Sequence, residues 1–184
     1  MAVALGKRLL TVDEFERDYY DSRYELIRGE LKEMAPAGAQ HGKSANNIAT
    51  FLSHFVLINR LGTCFAAETG FVIRKNSDSL LAPDWAFIKT ERLSDEPSSK
   101  FSQIVPDAVL EVRSPSDRLR DVQAKLEHWV EAGVRIAWEY DPETKTMTTY
   151  RPETESVEIG LNGIVSGEDV IPGFEMGLGE MLGS

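Results

Sequence analysis

The sequence predicts an α/β (α+β) fold: a central mixed β-sheet flanked by helices, with an added N-terminal hairpin and a C-terminal β extension. Three observations predict it. Two long stretches carry apolar residues at helical spacing, residues 39–60 and the segment ending at Ala132. Short strand-like runs surround them, giving the order hairpin, helix, three or four strands, helix, strand, hairpin. Strands and helices do not alternate strictly, and neither GxGxxG nor a P-loop occurs, which argues against a doubly wound nucleotide-binding fold.

Each element has its own signal. Thr11 and Glu14 read as a capping box that opens a short helix over Val12 to Tyr19. Tyr24–Ile27 and Glu30–Met34 flank Gly29 as a hairpin. In residues 39–60, Ala45, Ile48, Ala49, Leu52, Phe55 and Val56 share one face, and Asn59–Arg60 ends the helix near Gly62. Strands are expected at Thr63–Ala66, Thr69–Arg74 and, after a turn-rich NSDSLLAP, at Asp84–Lys89. Residues 91–104 are polar and read as a mobile loop. Asp107–Arg113 is the next strand. Ser116 or Asp117 caps the second long helix, and Gly133 ends it. Val134–Tyr140 and Thr146–Arg151 are strands about an Asp-Pro turn. Residues 160–184 hold seven of the fourteen glycines and read as loops with one or two short strands.

The length of 184 residues suits a single domain spanning 1–184, with its core at about 37–141. Apolar residues at 42% and charged residues at 27% are ordinary for a globular protein. One cysteine, Cys64, rules out an internal disulfide and reads as a small buried hydrophobe, with the cytoplasm as the default compartment. No run approaches the ~18 apolar residues of a membrane span. The start MAVALGKR has its charges in the wrong order for a secretory leader. The net charge of -10 argues against a general, charge-driven nucleic-acid binder. The charge is uneven, however. Residues 37–136 contain 12 basic and 12 acidic side chains, whereas residues 137–184 contain 2 basic and 10 acidic.

Chemistry is suggested first by PDAVLEVRS. A strand between two helix layers is apolar on both faces, and Glu111 breaks that rule. An unpaired carboxylate there costs several kcal/mol, so it needs a cation, hydrogen bonds or a metal. A strand-end salt bridge with an arginine meets that need as well as a catalytic role does. Asp84, 27 residues earlier, follows Pro83 at the mouth of another strand. Two such carboxylates on neighbouring strands can converge on a hard divalent cation, Mg²⁺ or Mn²⁺. Lys125 lies on the flank of the helical stripe made by Val122, Leu126, Trp129 and Val130. It reads either as a surface lysine paired with Asp121 or as a group bordering the core.

The stretches YELIRGELKEM, QHGKSANNIATFL, TGFVIRKNSDSLLAPDWAFIKTERL, PDAVLEVRSPSDRLRDVQAKLEHWVEAGVRIAWEYDPETKTMTTYRP and VIPGFEMGLGEML resemble the "putative restriction endonuclease" family of the PD-(D/E)XK nuclease superfamily. The likeness runs from about Tyr24 to Leu182 and implies a restriction-endonuclease-like fold. It implies Asp84 and Glu111 as catalytic, metal-holding carboxylates. The superfamily lysine belongs two residues after Glu111, where this chain has Arg113. Arginine keeps its charge at neutral pH and cannot exchange a proton. Lys125 resembles the family's lysine on the following helix and takes that role by analogy. Glu30 and His41 match family positions as further neighbours of the site. The implied function is endonucleolytic hydrolysis of DNA with Mg²⁺ or Mn²⁺, with weak DNA binding and a possible homodimer.

Competing readings come from the residues themselves. His41, His54 and His128 form no HxxxH or HExxH pattern, and Ser114-Pro115-Ser116-Asp117 lacks a GxSxG elbow. Trp85, Trp129 and Trp138 lie in apolar-periodic elements and read as core. The broken motif and the acidic balance favour a nuclease-like fold without catalysis, serving as a binding or scaffold module. An acidic mimic of nucleic acid is a third reading.

Overall fold

The computed structural model describes residues 8–74, 78–93, 100–115 and 117–183. Residues 1–7, residues 75–77 of the turn-rich stretch, residues 94–99 of the polar loop and the proposed cap Ser116 lie outside them. The chain opens with α1 (Val12–Asp18), where the capping box forms: the Glu14 N–H donates to Thr11 Oγ1, and the Thr11 N–H donates to Glu14 Oε2 at 3.0 Å. A hairpin of β1 (Tyr24–Ile27) and β2 (Glu30–Glu33) follows. Gly29 turns it at φ 81°, and an added Cβ there would stand 2.7 Å from the Leu9 side chain.

The next elements are α2 (Ala39–Ile58), β3 (Gly62–Ala66), β4 (Phe71–Ile73), β5 (Ser79–Leu81) and β6 (Trp85–Lys89). Then come β7 (Ala108–Val112), α3 (Leu119–Ala132), β8 (Ile136–Asp141), β9 (Thr146–Tyr150) and β10 (Val157–Ile159). The chain ends with β11 (Ile164–Ser166), β12 (Glu175–Gly177) and α4 (Leu178–Leu182).

Six strands form the central sheet in the order β10-β9-β8-β7-β6-β3. Only β7 and β8 run parallel, as strands joined by the crossover helix α3 can. The sheet is therefore mixed, with a helix on each face. Ile48, Leu52 and Val56 of α2 pack against Trp85, Phe87, Leu110 and Trp138. Val122, Leu126 and Trp129 of α3 pack against Ala86, Ile88, Val109 and Ala137 on the other face. Covering both faces makes β7 and β8 buried throughout. All three tryptophans are core residues, while Cys64 is partly buried. A second sheet, β2-β1-β5-β4, is antiparallel and has its own core with α1, built on Val12, Phe15, Leu26, Val72 and Leu80.

Three local expectations are corrected. The stretch read as turn-rich contains β5, whose three residues are all buried. Its serine is compatible with that burial because Ser79 Oγ accepts from the Arg28 N–H at 2.8 Å and pairs with His128 Nε2 at 2.9 Å. Asp117 does not cap α3. The helix starts later, from Arg118, and Asp117 Oδ2 instead accepts from the Ser114 N–H at 2.9 Å. Gly133 does end it, in the left-handed region at φ 117°. The glycine-rich tail holds a helix as well as strands, because Leu178 and Met181 give α4 an apolar face in the core on the α2 side of the sheet. Among the described residues no helix is long and apolar enough to cross a membrane.

Candidate active site

The site is built at one end of the β6–β7 pair. Trp85 stands opposite Leu110 in that antiparallel ladder, Asp84 directly precedes Trp85, and Glu111 directly follows Leu110. The Asp84 N–H still donates to the Leu110 carbonyl at 3.0 Å, and Asp84 Oδ2 accepts from the Val112 N–H at 2.7 Å. These two bonds fix the carboxylate at the sheet's edge. Side chains alternate along a strand, so Glu111 shares the face of Val109, the face covered by α3.

On α3, Lys125 and Trp129 are one turn apart and both reach Glu111. Lys125 Nζ lies 2.8 Å from Glu111 Oε1 and 3.0 Å from Oε2. The Trp129 indole N–H donates to Oε1 at 2.9 Å. A carboxylate that is only 8% exposed thus has both a cation and a neutral donor, which is how a buried charge is tolerated. Lys125 is turned inward from the flank of its helix and is not paired with Asp121.

Two further residues complete the cluster. Glu25 of β1 is 3% exposed and places Oε1 2.9 Å from Lys125 Nζ. The same oxygen accepts from the Ala82 N–H at 2.9 Å, while Lys125 approaches the Ala82 carbonyl at 3.4 Å. The segment leading into Asp84 is therefore tied down by both members of an ion pair. From the opposite side, His41 in the first turn of α2 sets Nε2 3.3 Å from Asp84 Oδ2.

The electrostatics follow from this packing. Burial pushes the Glu111 carboxyl up from its ordinary value; Lys125 opposes that, and Asp84 and Glu25 add to it. Burial disfavours the charge on Lys125, but Glu111 and Glu25 outweigh it, so the lysine stays an ammonium at any physiological pH. The His41 imidazole is raised by its hydrogen bond to Asp84, against the effect of burial. Glu25 and Glu111 share one permanent cation, and Asp84 adds a further negative charge beside Glu111.

These residues line a cleft of about 450 Å³. Its wall has six carboxylates (Glu25, Glu33, Glu68, Asp84, Glu111, Asp117) against Arg23, Lys32 and Lys125. Among the described residues none beyond Lys125 lines the cleft, so the acidic C-terminal part does not form its wall. Glu30 does not line it either, since it sits exposed at the turn end of the hairpin. Arg113 turns toward β8, where its Nη1 lies 2.6 Å from Asp141 Oδ2. Glu25 was missed by the sequence reading. The signal that singles out Glu111, a carboxylate inside an apolar strand, is also present in Tyr-Glu-Leu-Ile, but the hairpin around it reads as a solvated edge.

Oxygen donors on adjacent strands suit Mg²⁺ or Mn²⁺. Among the described residues no group of three His, Cys, Asp or Glu side chains is arranged to hold an ion. Asp84 and Glu111 offer two carboxylates, and Mg²⁺ is commonly bound through one or two carboxylates with water and phosphate completing its shell.

Comparison with known proteins follows the same lines. The family model described as "Uma2: Putative restriction endonuclease" matches residues 12–179. No curated protein matches the chain. A crystal structure of a "putative nuclease belonging to DUF820" from Anabaena variabilis ATCC 29413 superposes with a TM-score of 0.84 at 20% sequence identity. The match covers 95% of this chain and 98% of that one, and it is a likeness of fold.

Proposed function

We propose that this chain, which belongs to the family described as "Uma2: Putative restriction endonuclease", is an endodeoxyribonuclease that uses Mg²⁺ or Mn²⁺. In this reading the whole chain acts as one domain, in the cytoplasm. The observation that carries the reading is the Lys125 ammonium 2.8 Å from Glu111, with the Asp84 carboxylate held by the N–H of Val112, the residue after Glu111.

Asp84 and Glu111 would hold the cation, whose chemistry when bound is to lower the pKa of water and stabilise charge on phosphate. The chain's own residues do the rest. The Val112 N–H and His41 fix the orientation of Asp84. The Trp129 N–H fixes Glu111. Lys125, always protonated, presents a positive charge where a phosphodiester would approach the carboxylates. The phosphate backbone meets an acid-lined wall, so affinity for DNA depends on the cation and is weak and salt-sensitive.

A direct assay tests this. Purified protein should nick plasmid DNA with Mg²⁺ or Mn²⁺, and Asp84→Ala or Glu111→Ala should abolish nicking. Cleavage that survives either change removes the assignment. One observation favours a second reading, a nuclease-fold binding or scaffold module: Lys125 already neutralises part of both Glu25 and Glu111. Thermal unfolding with millimolar Mn²⁺ separates the two, because ligand binding to the native state raises Tm. The scaffold reading expects no shift.

A further inference from the structure

We propose that Glu25 is a positioning residue that shares the Lys125 ammonium with Glu111 and thereby sets how readily Glu111 is released to a divalent cation. This rests on the reading of the cleft as a metal-dependent nuclease site.

Lys125 has one ammonium and two carboxylates around it. Its Nζ is 2.9 Å from Glu25 Oε1 and 2.8 Å from Glu111 Oε1. A carboxylate held by an ammonium is a weaker ligand, because the same oxygen lone pairs and the same charge serve both cations. The lysine therefore competes with any metal for Glu111. Glu25 eases that competition by offering the ammonium a second anchor that is itself fixed: its side chain is 4% exposed and it holds the Ala82 N–H at 2.9 Å. Glu25 comes from the hairpin sheet, whereas Asp84 and Glu111 come from the edge of the β6–β7 ladder in the central sheet. The N-terminal hairpin thus contributes to the site through the lysine rather than as a third ligand.

Glu25→Gln isolates the charge, since an amide oxygen can still accept from Ala82. Without that charge Lys125 rests wholly on Glu111. The test is Mn²⁺ affinity of the full chain, read by electron paramagnetic resonance of free Mn²⁺. Glu25→Gln should weaken binding by about tenfold, the order expected for one charge beside a buried site. The decisive variant is Glu25→Gln with Lys125→Gln, which removes the competitor and keeps the net charge of the cluster. Affinity should return to within about threefold of wild type, a difference under 1 kcal/mol. A direct-ligand role, or mere damage to the fold, predicts that affinity stays low in the double variant, and that result overturns the proposal. If the double variant does not fold by circular dichroism, Glu25→Gln with Lys125→Met gives the same comparison. Unchanged affinity in Glu25→Gln alone also overturns it. Wild-type protein that binds no Mn²⁺ removes the metal reading itself, whereas binding without cleavage removes only the hydrolase reading and leaves this test intact.

Discussion

Lys125 and Glu111, one on α3 and the other on β7, meet through two contacts at 2.8 and 3.0 Å in a nearly closed interior. Breaking such a pair from one side is far costlier than leaving it intact is beneficial, because the remaining charge keeps its desolvation cost. Lys125→Met should therefore destabilise the protein by ~3–5 kcal/mol in urea unfolding at neutral pH. Adding Glu25→Gln and Glu111→Gln should recover most of that loss. A Lys125→Met protein as stable as wild type would show that the ammonium does not neutralise the buried carboxylates.

Asp84 does two separable things. Its Oδ2 accepts from the Val112 N–H at 2.7 Å, which is structural, and its charge faces the cleft. Asp84→Asn keeps an acceptor and loses the charge. It should unfold within about 1 kcal/mol of wild type, as a preserved neutral hydrogen bond allows, yet lose the Mn²⁺-induced rise in Tm. Asp84→Ala should lose the rise too and cost a further ~1–3 kcal/mol for the unsatisfied N–H. An Asn variant that still responds to Mn²⁺ would move the ion elsewhere.

Most of the central fold is legible in the sequence because local signals and tertiary packing agree there. The apolar period of α2, the Gly133 stop of α3, the apolar run of β7 broken only by Glu111 and the alternating pattern of β8 each point to one solution. Two elements are not legible, for different reasons. β5 is only three residues long, in a stretch whose Asn, Ser and Asp residues speak for turns, and it becomes a strand through pairing with β1 and β4. The start of α3 is misplaced because Asp117, an ideal cap by type, is engaged by the Ser114 N–H instead. At the site, the buried carboxylate of Glu111 is visible as a broken apolar pattern. The convergence of Glu25 is not, since it requires a contact between residues 25 and 125 from two different sheets' surroundings, which no local pattern encodes.

A second buried acid, Glu139, the cross-strand partner of Glu111, gives a pH prediction. Glu139 on β8 is buried and accepts from the Tyr150 hydroxyl at 3.0 Å. Burial raises its pKa above the ordinary 4.5, and the Tyr150 hydrogen bond only partly offsets this. A raised carboxyl binds its proton more tightly folded than unfolded. Its contribution is thus full below the unfolded pKa and is lost as pH rises through the folded one. Glu139→Gln keeps the acceptor and removes the ionisation. Its Tm should exceed wild type by about 2 °C at pH 8 and by nothing at pH 4. A gain of equal size at both pH values would mean that packing, not charge, is responsible.

The position where the superfamily's lysine belongs offers the sharpest separation between sequence and geometry. Arg113 shares the strand face of Glu111, but its guanidinium is directed to Asp141 on β8, 2.6 Å away. Lys125 reaches Glu111 from α3 above that face, and Arg113 does not line the cleft. Restoring the motif by Arg113→Lys should therefore leave the ammonium with Asp141, since the same partner and the same backbone remain. In DNA cleavage with Mn²⁺, Arg113→Lys alone should stay close to wild type. Lys125→Met should be inactive, and Arg113→Lys with Lys125→Met should be equally inactive. Recovery of cleavage in that double variant would place the working lysine at position 113, just past β7, and make Lys125 a structural counter-ion only.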